Sequence, residues 1–105
     1  MLTKNSIELK NHWKKTLSIW FDEDISKLEK VEDDNLEEYK EYKLRENIGL
    51  KKNLTGVELF DYHESEIFDD EIQSFDIDVS EIEDLKIQIS DMYEKYYDEL
   101  IELYR

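Results

Sequence analysis

The side chains of this 105-residue chain that are able to do chemistry are overwhelmingly carboxylates. Between Lys52 and Lys86 lie thirty-three residues with no lysine or arginine and twelve acids: Glu58, Asp61, Glu64, Glu66, Asp69, Asp70, Glu71, Asp76, Asp78, Glu81, Glu83 and Asp84. Inside that run Asp61, His63 and Ser65 stand in the order of a proton relay, and His63 beside Glu64 has the makings of an acid–base pair. A histidine set among carboxylates is ordinarily a surface residue, and no glycine-rich phosphate loop, serine elbow or cysteine nucleophile accompanies it. No catalytic residue is therefore assigned, and the chain is not expected to be an enzyme.

Metal chemistry fares no better. From Asp76 the stretch DIDVSEIEDLKI offers oxygens at positions one, three, five and nine of a calcium loop. Glu81 stands where the sharp turn needs glycine, and Ile87 where a bidentate glutamate belongs. A second candidate loop from Asp22 has Lys27 at the glycine position. The two histidines, His12 and His63, fall in different elements with no HExxH spacing, and cysteine is absent. Neither a metal nor any other cofactor is expected.

What remains is binding. The formal charge is −15, and it is unevenly spread. Residues 1 to 55 carry eleven basic and twelve acidic side chains, a net of −1, whereas residues 56 to 105 carry three and seventeen, a net of −14. Acidic runs of this kind are usually solvated and disordered. This one is interleaved with Val57, Leu59, Phe60, Ile67, Phe68, Ile72 and other apolar groups, which predicts an ordered segment with its acids on a surface. Each neighbouring like pair on such a surface costs about a few tenths of a kcal/mol to about 1. The field repels nucleic acid and anionic membranes and attracts a basic protein, whose arrival it accelerates. Discrimination needs aromatic anchors as well, and of the seven tyrosines Tyr62, Tyr97 and Tyr104 are expected at an interface, with Tyr93 and Tyr96 in the core. The partner-binding residues read from the sequence are Glu58, Asp61, Tyr62, Glu64, Glu66, Asp69, Asp70, Glu71, Asp76, Asp78 and Tyr97.

In general profile the chain is similar to small acidic immunity proteins and phage-encoded mimics, although no motif assigns it to a family. The expectation is a non-catalytic inhibitor of the immunity-protein or antitoxin type that neutralises a basic, nucleic-acid-cleaving toxin or enzyme. One alternative is a nucleic-acid mimic that blocks a DNA- or RNA-binding protein. Another is a helical adaptor that pairs with its own copy through Ile87 and Ile101. The partner list is thus a basic protein, with no direct nucleic acid and no membrane, and a monomer or weak homodimer.

Position along the chain follows from periodicity. Asn5 with Glu8 has the form of a capping box ahead of Leu9, Trp13, Leu17 and Trp20, which predicts a helix over 6–21. Asn35 with Glu38 opens a second helical stretch with a thin apolar stripe. Phe75-Asp76-Ile77-Asp78-Val79 alternates like a strand, and 57–62 is a candidate to pair with it. Ser80 with Glu83 introduces a helix over 81–104 that carries Leu85, Ile89, Tyr93, Tyr96 and Leu100 down one side. The predicted fold is one helix-dominated α+β domain over 1–105, with a near-neutral half 1–55 and an acidic half 56–105. Its first and last helices would pack around a small antiparallel sheet, an all-α bundle being the alternative if the middle run is helical. No secretory or spanning segment is evident, so a cytoplasmic location is expected.

Overall fold

The computed structural model describes residues 2–105 and contains four α-helices: α1 (Lys4–Glu29), α2 (Asp33–Lys51), α3 (Gly56–Ser74) and α4 (Ile82–Tyr104), with one turn of 3₁₀ helix (Val79–Glu81) leading into α4. α1 is helical because Ser6, Leu9, Trp13 and Leu17 recur every three or four residues and are all buried. Its first turn is fastened from the far end of the chain. The backbone N–H of Thr3 donates to one oxygen of buried Glu81, and the Thr3 hydroxyl donates to the other at 3.0 Å.

α2 buries only Asn47 completely, so its place depends on contacts at its edges. Tyr39 meets the ring of Tyr104 edge-on at 6.2 Å, Lys43 lies 5.8 Å over the same ring, and Lys51 pairs with Asp98. The helix stops where Lys52 and Asn53 both enter the left-handed region, at φ 44° and 61°. α3 then begins on an N-cap: the Thr55 hydroxyl oxygen accepts from the Glu58 N–H at 3.3 Å, and the hydroxyl donates to the Glu58 carboxylate at 2.9 Å.

α4 is the axis of the molecule and touches each of the other three helices. Thr3 sits by Glu81, Lys10 by Gln88 and Asp24 by Tyr96, so α1 and α4 run parallel. α2 meets the second half of α4 through Lys51 and Asp98, and α3 meets the first half through Asp61 and Lys86, both antiparallel to it. Consecutive α2 and α3 thus act as one interrupted rod, which gives a body of 52 × 25 × 21 Å. Trp13, Phe60, Phe68 and Tyr93 fill the centre with edge-to-face contacts at 5.2 to 6.4 Å.

Among the described residues there is no strand, so the small antiparallel sheet is overturned and the all-α alternative describes the fold. Residues 57–62 form the first half of α3, launched by Thr55. The alternation over 75–79 belongs to a turn: Phe75 ends α3, Asp76 is left-handed at φ 54°, Ile77 plugs the core, and Asp78 caps the 3₁₀ turn. Val79, which a strand would have paired with Phe75 and Ile77, is 83% exposed. The amino-terminal helix also runs on to Glu29 instead of ending near residue 21, because Asp24 is bonded to α4 and Leu28 keeps the stripe going.

Two hydroxyls, those of Ser6 and Ser90, are buried without a hydrogen-bond partner. An orphaned buried hydroxyl loses its water and gains nothing in return. Ser90→Ala is therefore expected to raise stability by about 0.5–1 kcal/mol, a rise in Tm of about 4 °C, in thermal unfolding followed by circular dichroism. A lowered Tm would show that the hydroxyl finds a partner in solution.

Candidate functional site, an acidic face on helices α3 and α4

Helical geometry decides which carboxylates can meet a partner. On α3, Glu58, Tyr62 and Glu66 follow one another at steps of about one turn, Asp69 and Asp70 both lie one turn beyond Glu66, and all five are exposed to solvent. Tyr62 is 71% exposed, with the ammonium of Lys52 5.8 Å from its ring. None of these four acids has a lysine, arginine or histidine nitrogen within 4.0 Å among the described residues. A second acidic ridge, which the sequence reading did not assign, runs down the outside of α4 through Asp84, Asp91, Asp98 and Glu102, with Ile87 exposed among them. Its signal was present in the sequence as the polar side of a helix already predicted. Asp61 lies at the seam between the two ridges and is paired with Lys86.

The structure turns the other expected site residues elsewhere. Glu64 faces inward and accepts the Tyr93 hydroxyl at 3.0 Å. Glu71 accepts the indole N–H of Trp13 at 2.7 Å and lies 3.3 Å from Nε2 of His12. Tyr97 is only 9% exposed, stacked at 6.2 Å on His63 and edge-on to Tyr93, so it belongs to the core and not to an interface. Tyr104 is buried too and donates to Asp24 at 2.9 Å. Asp76 occupies the turn after α3, where its carbonyl accepts from the Asn5 amide at 3.4 Å. Asp78 is exposed but engaged: the Ser80 N–H and hydroxyl donate to it at 2.9 and 2.7 Å, and these bonds hold its carboxyl below the usual range.

The imagined relay does not assemble. His63 lies 3.2 Å from the Leu50 carbonyl at the end of α2, while Asp61, two residues earlier on the helix, points to Lys86. Among the described residues no three His, Asp or Glu side chains come together as a metal-binding group.

Two inward carboxylates make stability depend on pH. Burial pushes the carboxyl of Glu64 up, against the hydrogen bond from Tyr93 and the nearby His63. Burial does the same at Glu71, against the Trp13 N–H and His12. A carboxyl raised on folding binds its proton more tightly in the native state, so native stability falls as pH climbs from the unfolded value through the raised folded one. Mild acid should therefore stabilise this protein. Tm is expected to rise as pH is lowered from ~7 to ~5, and the rise should shrink in Glu71→Gln. A Tm that falls over that interval would contradict the inward placement of both groups.

No helix among the described residues is long and apolar enough to cross a membrane. No protein-family model matches the chain, and no curated protein or solved structure matches it either, so what the acidic face does is argued from its own chemistry.

Proposed function

We propose that the protein is a non-catalytic inhibitor of the immunity-protein or antitoxin type, which binds a basic, nucleic-acid-cleaving partner through the outer face of α3. The observation that carries this reading is the row of Glu58, Glu66, Asp69 and Asp70 around exposed Tyr62, with no cation within 4.0 Å of these four carboxylates among the described residues. Eleven of the fourteen lysines and arginines lie in residues 1 to 55, and two of the three in the acidic half, Lys86 and Arg105, are bound to other acids of that half. A face left repulsive in the free protein is relieved when a cationic surface docks on it.

Display on a helix adds to the fit. The carboxylates keep fixed spacings of about 6 Å per turn, so little side-chain and no backbone ordering is lost on binding. Tyr62, 71% exposed, supplies apolar area within the charged field, the combination expected of a binding centre with a steering rim.

The acidic ridge along α4 favours a second reading, in which the two ridges imitate the backbone of a nucleic acid and block a DNA- or RNA-binding protein. One experiment tests both. The protein is co-expressed with the product of each neighbouring reading frame, and any pair that forms is captured across a salt series. The inhibitor reading expects a stoichiometric complex that forms fastest at low salt and suppresses nuclease activity. The mimic reading expects instead that duplex DNA or RNA competes the complex away while no cleavage is involved. Absence of any complex at low salt would reject both.

A further inference from the structure

The concave surface of the molecule lies away from α3, along the seam between α1 and α4. Three hollows run end to end there, of about 630, 270 and 450 Å³. The residues that α4 turns to α3 are Lys86, Tyr93 and Glu94; those that line the groove are Gln88, Met92, Lys95 and Glu99. From Gln88 to Leu103 the groove follows α4 for about 22 Å. Its floor is apolar and only partly covered, through Leu2, Ile7, Phe21, Met92 and Leu103.

Charge changes sign along this groove. At the end near the chain's start the charged residues that line it, among those described, are Lys10 and Lys14. At the other end stand Asp98, Glu99 and Glu102 with Lys95 among them, Asp98 being held by Lys51 and Glu102 by Arg105, so that Glu99 is the carboxylate there with no cation within 4.0 Å among the described residues. No carboxylate lies within 4.0 Å of Lys10 or Lys14 among the described residues, and Lys10 donates instead to Gln88 at 2.8 Å. An acidic peptide would suit only the first end, and a basic one only the second. A surface positive at one end and negative at the other is complementary to itself when turned end for end.

We propose that the occupant of this groove is a second copy of the chain, docked antiparallel about a two-fold axis through the central hollow. In that arrangement Lys10 and Lys14 of each copy lie along Glu99 and Glu102 of the other, and Phe21 of each copy comes opposite Met92 of the other, one such contact on either side of the axis. Two helices side by side offer a face of about 30 by 20 Å, so roughly 1,200 Å² is covered in all, at the lower end of what specific interfaces cover. The dimer leaves α3 free, because its groove is built on the opposite flank of α4, and it does not depend on the inhibitor reading.

The test is a charge swap read by sedimentation equilibrium from about 5 to 500 µM, the range in which an interface of this size should show itself. Wild type is expected to reach twice the monomer mass. Lys10→Glu with Lys14→Glu sets acid against acid at both seams, and Glu99→Lys with Glu102→Lys sets base against base, so each variant alone should associate about 100-fold more weakly. Mixed, the two variants restore both seams and should recover the dimer. Ile87→Glu, on the other flank, should leave it unchanged. Wild type that stays at monomer mass throughout, variants that dimerise as wild type does, folded variants that fail to pair when mixed, or loss of the dimer in Ile87→Glu would each overturn the proposal. Should the doubly substituted chains lose helicity, Met92→Arg replaces them: a single substitution at a half-buried position near the axis, it is expected to hold the protein at monomer mass, and a dimer as strong as that of wild type would overturn the proposal equally.

Discussion

Changing Glu66, Asp69 and Asp70 together to lysine is expected to slow association with the basic partner by about 100-fold at low salt, while the variant remains folded. Three reversals move the local charge by six units on a face where no cation lies within 4.0 Å of these carboxylates among the described residues, which turns attraction into repulsion at the distances over which two proteins steer. The fold should survive because all three side chains are exposed and none takes part in a hydrogen bond among the described residues. Two of them lie in the last turns of α3, where lysine suits the helix dipole better than aspartate does. Loss of binding could then not be blamed on unfolding. Tyr62→Ala makes the complementary change: it removes a central aromatic contact and leaves the field alone. Its association rate should stay near wild type, and the complex should dissociate about 30-fold faster, the effect of roughly 2 kcal/mol at an anchoring residue. Stopped-flow mixing across a salt series separates the two, and equal effects on both rates from both changes would contradict a division between steering acids and an anchoring ring.

How much of this was legible in the chain depends on the range of the interaction. Helix α4 was legible because its apolar positions repeat through six turns, and α1 because Leu9, Trp13 and Leu17 do the same. The breadth of α4's buried side was not. A helix packed on three neighbours buries more than one stripe, which is why Tyr97 and Tyr104, off the line through Leu85 and Ile89, are core residues. The start of α3 was present in Thr55 and Glu58 as a capping pattern, yet the same pattern at Asn5, Asn35 and Ser80 falls inside or beside a helix and not at its N-cap, and the short apolar run of 57–62 fits a strand as well as a helix. Phe75 and Ile77 imitate a strand because a turn that must plug the end of a core also places every second side chain inward. Glu64 and Glu71 could not be told from Glu66 and Asp70 by composition. Their inward direction is set by Tyr93 and Trp13, 29 and 58 residues away, and nothing local records such a partnership.

Trp13 is buried at the centre of the core, and Trp13→Ala is expected to remove about 3–5 kcal/mol of stability and about 20 °C of Tm. The indole stands edge-on to Trp20 at 6.2 Å, to Phe60 at 5.2 Å and to Tyr93 at 6.4 Å, so it ties α1 to α3 and α4 at once. Its N–H is also the hydrogen bond that makes a half-buried carboxylate at Glu71 tolerable. A domain of this size has roughly 5–15 kcal/mol in all, so the alanine variant should sit near the edge of unfolding at physiological temperature. Trp13→Phe separates the two roles. It keeps most of the ring packing, loses the N–H, and should cost about 1–2 kcal/mol at neutral pH. Without that donor the carboxyl of Glu71 is pushed up further, so the deficit belongs to its charged form and must shrink as acid protonates it. Urea titrations of both proteins, followed by the fluorescence of the remaining Trp20, should therefore converge between pH ~7 and ~5, whereas a gap constant with pH would mean that lost packing alone accounts for the difference.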